Sequence, residues 1–233
     1  MPITTCVFDA YGTLFDVSAA ARQAAAEPDF LYIQPVWPAL AEHWRQKQLQ
    51  YTWLRAVTDA HTGFWEVTQQ GLDWALEKVE LQGDAALRER LLALYWELQS
   101  YPEVPVMLAQ LKAAGLNTAI LSNGSPDMLA GAVASAKIGA LLDDTLSVET
   151  VGVFKPHARV YDLVAARFDC TPEEVLFASS NGWDAACATG YGFQTVWVNR
   201  AGEPMDRLPW TPPSVLADLT EIPRLAGVNH GDV

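Results

Sequence analysis

Short apolar runs alternate with alanine-rich helical stretches along most of the chain, and each run ends in a polar turn, most of them with glycine. Residues 3–8 (ITTCVF) are β-branched and aromatic and stop at AYGTLFD; residues 117–121 (NTAIL) stop at SNGSP. EVLFASSNGWD (174–184) and FQTVWVNR (193–200) repeat the form, and TLSVETV (145–151) is a weaker version of it. Strand, polar turn and helix in repetition predict an α/β fold with a Rossmann-like parallel sheet and helices on both faces. In such sheets the functional groups gather at the C-terminal ends of the strands.

Residues 17–97 break the rhythm, with almost no strand-like run and long helical patterns such as PALAEHWRQKQLQYTWLRAVTDA and DAALRERLLALYWEL. They predict a helical cap domain inserted after the first strand, leaving residues 1–16 and 98–233 as the catalytic core and a cleft between the two. Within WRQKQLQYTWLR (44–55), Arg45 and Leu49 share one helix face, while Trp44, Tyr51 and Leu54 are placed to bury another. Gly115 predicts a helix C-cap before the second strand. The proline-spaced tail, 201–233, predicts a loop, one short helix near SVLADL and a poorly ordered end.

Half of the residues are apolar and 18% are charged, which excludes a disordered chain. The net charge of −13, from 28 acids against 15 Lys and Arg, presents a repulsive surface to nucleic acid and to anionic membrane. It leaves open a local cation inside a pocket. Cys6, Cys170 and Cys187 are widely separated without a CxxC, and no basic-then-apolar signal segment opens the chain. These features predict a cytoplasmic, reduced protein, and no apolar run of about 18 residues predicts a membrane span. The four histidines lack metal-ligand spacing, which argues against zinc.

Asp9 closes the first strand, where the amides of the AYGT turn could bind an anion; a local turn cap is the plainer role for such an acid. Two further turns, Ser122–Asn123–Gly124 and Ser179–Ser180–Asn181–Gly182, fall on the same predicted edge. Asn-Gly commonly marks a hairpin, but helix-like sequence follows each of these. Between them lies FKPH (154–157), whose Lys155 is placed to face Asp9 and keep it ionised, as a nucleophile requires.

With these motifs the chain resembles the haloacid dehalogenase superfamily, and within it the L-2-haloacid dehalogenases, over essentially its whole length. The superfamily's first motif is normally Asp-x-Asp-x-Thr, with the second acid protonating a phosphoryl leaving group; here Asp9, Tyr11 and Thr13 occupy it. Its fourth motif usually supplies acids for Mg²⁺, and SSNGWD (179–184) retains only Asp184. Fewer hard carboxylate ligands weaken a Mg²⁺ site, and losing the proton donor suits a leaving group that needs no proton, such as halide. The resemblance therefore implies no cofactor and no metal.

It also implies the site. WRQKQLQYTWLR matches the dehalogenases' own helix, making Arg45 the halide acceptor and Gln46, Leu49 and Phe64 pocket residues, although pattern alone reads Arg45 as solvated and Leu49 and Phe64 as core. Asp9 would attack C2 of an L-2-haloacid, inverting that centre and forming an aspartyl ester, while Arg45 with Asn123 receives the halide. Ser122, neighbouring amides and the turn after Asp9 would hold the substrate carboxylate. Lys155 and Thr13 would fix Asp9; Ser179, Asn181 and Asp184 would position Lys155 and a water that opens the ester and releases a D-2-hydroxy acid. Asp184 is the candidate base for that water, with a purely orienting role as the alternative. Tyr11 and Trp183 would wall a small pocket suited to short alkyl arms, and Tyr161 would support Lys155 or Asp9. The family implies a homodimer, and the segment 27–41 is expected near pocket access or a subunit contact. The rival readings are a Mg²⁺-dependent phosphatase of the same fold and a non-catalytic binding protein on this scaffold.

Overall fold

Six parallel strands form one sheet in the computed structural model, which describes residues 1–228. They are β1 (Thr5–Phe8), β2 (Asn117–Ser122), β3 (Asp144–Ser147), β4 (Val175–Ser179), β5 (Gln194–Val198) and β6 (Ser214–Leu216), in the spatial order β3-β2-β1-β4-β5-β6. This is the doubly wound order, and its topological switch point falls beside β1. Phe8, the last residue of β1, lies opposite Ile120 on one side and Ala178 on the other, so Asp9 emerges at the centre of the sheet's C-terminal edge. Its backbone N–H extends the ladder to the Ala178 carbonyl at 2.9 Å.

Between β1 and β2 the chain runs through α1 (Ala19–Ala24), α2 (Trp37–Val57), α3 (Phe64–Lys78), α4 (Ala85–Trp96) and α5 (Val104–Ala113). Beyond β2 the sheet is covered by α6 (Pro126–Ala136), α7 (Ala158–Phe168), α8 (Gly182–Tyr191) and the short α9 (Ile222–Leu225). β1 and β4 are buried along their whole length and β2 from its second residue onward, which is why those runs are apolar without alternation. The return to β2 follows the sequence expectation, with Gly115 in the left-handed conformation (φ 76°) just past α5.

Two expectations are corrected. SVLADL is not helical: Ser214–Leu216 pairs with β5 at the sheet edge, where the Asn199 N–H reaches the Leu216 carbonyl at 2.7 Å, and helix begins only at Ile222. Tertiary pairing overrides the local pattern there. Leu54 does not join Trp44 in the core; Trp44 is buried and Tyr51 half-buried, but Leu54 is exposed with Val57 on the outer side of α2. Of the segment 27–41, no residue lines the pocket described below. The segment forms a 3₁₀ turn (Pro28–Ile33) and the start of α2, pinned to α4 and its N-cap by the Glu27–Arg90 ion pair and a Tyr32–Asp84 hydrogen bond. The expected poorly ordered end falls on 229–233, outside the described residues.

One polar clamp joins the helical segment to the sheet. Glu149, just after β3, accepts the Phe64 N–H at 3.0 Å through Oε1, and its Oε2 lies 3.1 Å from His61 Nε2. A carboxylate at the first turn of α3 complements the helix dipole and sets where Phe64 sits.

Ile120 is fully buried in β2 against β1. Ile120→Ala is expected to lower stability by about 2–5 kcal/mol, read as a shifted urea midpoint at unchanged slope.

Candidate active site

The turn after β1 is built to aim Asp9. Gly12 adopts φ 87°, and a Cβ there would lie 2.9 Å from both Arg45 Nη2 and Ser180 Oγ, so only glycine lets the turn, the guanidinium and the β4 turn meet. The Gly12 N–H reaches the Phe15 carbonyl at 2.7 Å and the Leu14 N–H the Ala10 carbonyl at 2.9 Å. Of the AYGT amides, those of Gly12 and Thr13 close the turn on itself, the Thr13 N–H reaching the Ala10 carbonyl at 3.3 Å. Asp9 does not cap the turn through its backbone; Thr13 Oγ1 donates to Asp9 Oδ2 at 3.0 Å and is itself held by the Ser180 N–H at 2.7 Å.

Lys155 is 1% exposed and spans two carboxylates, with Nζ 3.2 Å from Asp9 Oδ1 and 2.8 Å from Asp184 Oδ2. Its backbone N–H is fixed by Asn123 Oδ1 at 2.9 Å, and its ammonium lies over the Phe177 ring at 4.9 Å. Burial works against the charge, but Asp184 and Asp9 outweigh it and hold the Lys155 pKa above the ordinary lysine value. Burial also pushes the Asp184 carboxyl upward; Lys155 opposes that rise and Asp9 adds to it. Tyr161 completes the stack by donating to Asp184 Oδ1 at 2.8 Å.

From the other side, Arg45 on α2 donates through Nη2 to Asn181 Oδ1 at 2.8 Å and to the Tyr11 carbonyl at 3.2 Å. Asn181 turns its Nδ2 to Asp9 Oδ2 at 3.1 Å, linking the guanidinium to the carboxylate. Around these groups the sheet edge contributes Ser122, Asn123, Lys155 and Trp183 to a pocket, and the helical segment contributes Arg45, Gln48, Leu49 and Phe64. The enclosed space is about 20 Å³, of the order of one water. Arg45, Leu49, Asn181 and Trp183 also border a broader open groove towards Arg200, so these four form the partition between pocket and solvent.

Several expected residues are placed differently. Gln46 is exposed and bonds Glu42 at 2.6 Å; one position from Arg45 turns it off the pocket face, whereas Gln48, three positions on, lines the pocket and was missed. The spacing 45, 48, 49 was the available signal. Gln48 Nε2 is held by Thr68 Oγ1 at 2.7 Å and lies 3.1 Å from Tyr95 OH, in a buried network where burial raises the Tyr95 phenol to about 12. Tyr161 lies outside the pocket and supports Lys155 indirectly, through Asp184. Ser179 Oγ accepts the Asn181 N–H at 3.2 Å, a local serine turn, and does not bond Lys155. Asn181 likewise serves Asp9 and Arg45 rather than Lys155. Asn123 lines the pocket, but the side chain that Arg45 touches is Asn181. Asp184 has both oxygens engaged and lies behind Lys155, off the pocket wall.

The donor set does not fit Mg²⁺, because an ammonium already bridges Asp9 and Asp184. Among the described residues no group of three or more His, Cys, Asp or Glu side chains could hold a metal, and no helix is long and apolar enough to cross a membrane.

A model of the haloacid dehalogenase-like hydrolases matches residues 3–192. The chain is 42% identical over 224 residues to (S)-2-haloacid dehalogenase 1 of Pseudomonas sp. (strain CBS-3), covering 96% of each chain. It is 40% identical to (S)-2-haloacid dehalogenase 4A of Burkholderia cepacia, over 87% of this chain and 85% of that one. Among solved structures, the L-2-haloacid dehalogenase of Xanthobacter autotrophicus with chloropropionic acid covalently bound superposes with a TM-score of 0.87 at 35% identity, covering 97% and 98% of the two chains. The chain belongs to the haloacid dehalogenase-like hydrolases and, within them, to the family of the (S)-2-haloacid dehalogenases.

Removing the ammonium alone leaves two buried carboxylates facing each other. Lys155→Met is expected to destabilise the fold by about 3–5 kcal/mol in urea unfolding, and adding Asp184→Leu is expected to restore part of that loss.

Proposed function

We propose that the protein hydrolyses short-chain L-2-haloalkanoic acids to D-2-hydroxy acids, with inversion at C2, through an ester formed on Asp9. The observation that supports this most directly is a lone pocket carboxylate, held by Lys155, Thr13 and Asn181 and lying beneath a guanidinium from a different structural layer. Every side chain bonded to Asp9 is a donor, so the carboxylate is held in one orientation, and among the described residues no second acid lines the pocket to protonate a leaving group. Such a site favours displacement of an anion that leaves unprotonated. The names of the relatives, and the covalently bound chloropropionic acid in the Xanthobacter enzyme, agree with it.

In this reading residues 17–97 act as a cap over the core formed by 1–16 and 98–233. The substrate carboxylate lies against the Ser122–Asn123 turn, and C2 faces Asp9 with its halogen directed to Arg45; fixing that backside line supplies much of the rate. As the carbon–halogen bond breaks, Arg45 stabilises the departing halide. Water then attacks the ester carbonyl carbon and the bond from that carbon to the C2 oxygen breaks; one of the water's protons passes to that oxygen, giving the hydroxy acid, and the other to solvent, regenerating the Asp9 carboxylate. Asp184 takes the orienting role, since it holds Lys155 from behind and does not line the pocket; Tyr161 holds Asp184 in turn. The tight enclosure by Phe64, Leu49 and Trp183 favours a short alkyl arm, and the partition residues Arg45 and Leu49 move aside for substrate to pass.

Asp9→Asn keeps the shape of the side chain and removes its nucleophilic oxygen. Halide release from L-2-chloropropanoate is expected to fall by at least about a thousandfold with the fold intact by circular dichroism, and wild-type turnover is expected to survive exhaustive chelation. Normal turnover by the variant, or chelator-sensitive phosphate release from esters by the wild type, would contradict the reading.

A further inference from the structure

The helix that carries Phe64 into the pocket is held at its N-terminus from outside its own segment. The N-cap of α3 is Gly63, which has no side chain to offer, and Phe64 is the first helical residue, so its N–H is one of those a helix leaves without an internal partner. Glu149, in the turn after β3, supplies the acceptor at 3.0 Å.

Glu149 is in turn fixed to the opposite wall of the pocket. Its N–H reaches Ser147 Oγ at 3.2 Å, and that hydroxyl donates to the Gly124 carbonyl at 2.6 Å. Gly124 ends the turn from which Ser122 and Asn123 line the pocket, while Phe64 lines it from the helical segment. Ser147 and Glu149 line no part of the pocket, yet they set the span between two of its walls. The other carboxylate oxygen of Glu149 lies 3.1 Å from His61 Nε2, and the His61 ring packs on Phe154 at 4.6 Å. Phe64 is buried between Tyr11, at 5.6 Å, and Phe154, at 6.3 Å, so its ring follows the end of α3 and has no free rotamer to take instead. In an enclosure of about 20 Å³ a small shift of that ring decides what fits, and one methylene in an apolar pocket is worth about 10- to 200-fold in specificity.

We propose that Glu149 determines the substrate size the enzyme accepts: by holding the N-terminus of α3 from the sheet side, it keeps Phe64 at the spacing that admits a short alkyl arm on C2 and excludes a long one. This assignment rests on the haloacid reading above. Glu149 acts through Phe64 and is a positioning residue.

The test measures kcat/KM for L-2-chloropropanoate and L-2-chlorohexanoate in the wild type and in variants. In Glu149→Ala the preference for the shorter acid is expected to fall at least about tenfold, through a raised KM for chloropropanoate and a lowered KM for chlorohexanoate. Glu149→Gln keeps an acceptor for the Phe64 N–H, and its preference is expected to stay within about twofold of wild type. In a Phe64→Ala background, Glu149→Ala is expected to leave the preference unmoved, as action through that one ring requires. Ser147→Ala breaks the tie to Gly124 and is expected to shift the preference in the same direction; it carries the test if Glu149→Ala does not fold. A merely structural role would lower kcat/KM for both acids by the same factor. That outcome, or a shift that persists in the Phe64→Ala background, would overturn the assignment while leaving dehalogenation intact. Failure of the wild type to release halide from either acid would instead overturn the functional reading on which it rests.

Discussion

The ammonium of Lys155 is the interaction on which the rest of this site depends. It is sealed from solvent and bonded at once to the carboxylate that ends β1 and to one in the first turn of α8. The chain positions it from outside its own side chain, by tying its backbone to Asn123 at the end of β2. Three strand ends therefore meet at one residue. Desolvation works against its charge, and the two acids outweigh that penalty. Replacing either acid would change the charge of the whole cluster, which is why Asp184 matters to Asp9 without touching the pocket.

A cation in that place also limits the chemistry. It occupies the space between the two acids where a divalent metal would need its ligands, and it leaves Asp9 surrounded by donors only. The remaining cation, Arg45, comes from α2 and meets the sheet edge through Asn181 and the Tyr11 carbonyl. Asp9 and Arg45 thus sit on different layers. The Glu149 clamp on His61 and Phe64 fixes those layers against each other, and the pocket takes its shape from that docking.

Much of this was legible in the chain. Unbroken apolar runs marked β1, β2, β4 and β5, and polar turns at their ends marked the edge where Asp9, Lys155 and Asp184 come together. What the chain concealed was decided by orientation and by partners distant in sequence. Gln46 and Gln48 are chemically identical, and helix rotation alone admits the second to the pocket. Ser179 and Asn181 belong to the expected turn, yet whether a turn side chain bonds its own backbone, Asp9 or Lys155 depends on which rotamer the surrounding packing selects. SVLADL has a composition compatible with helix, and only the exposed edge of β5 makes it a strand.

The central claim is that Asp9 itself bonds to carbon and is later freed by attack on its own carboxyl carbon. A single turnover with enzyme in excess over L-2-chloropropanoate in H₂¹⁸O, followed by mass analysis of product and of the peptide containing Asp9, tests it most directly. The account predicts unlabelled hydroxy acid and one ¹⁸O in the Asp9 carboxylate. Label in the hydroxy acid with none in Asp9 would mean that water, not Asp9, attacks C2, and would contradict it.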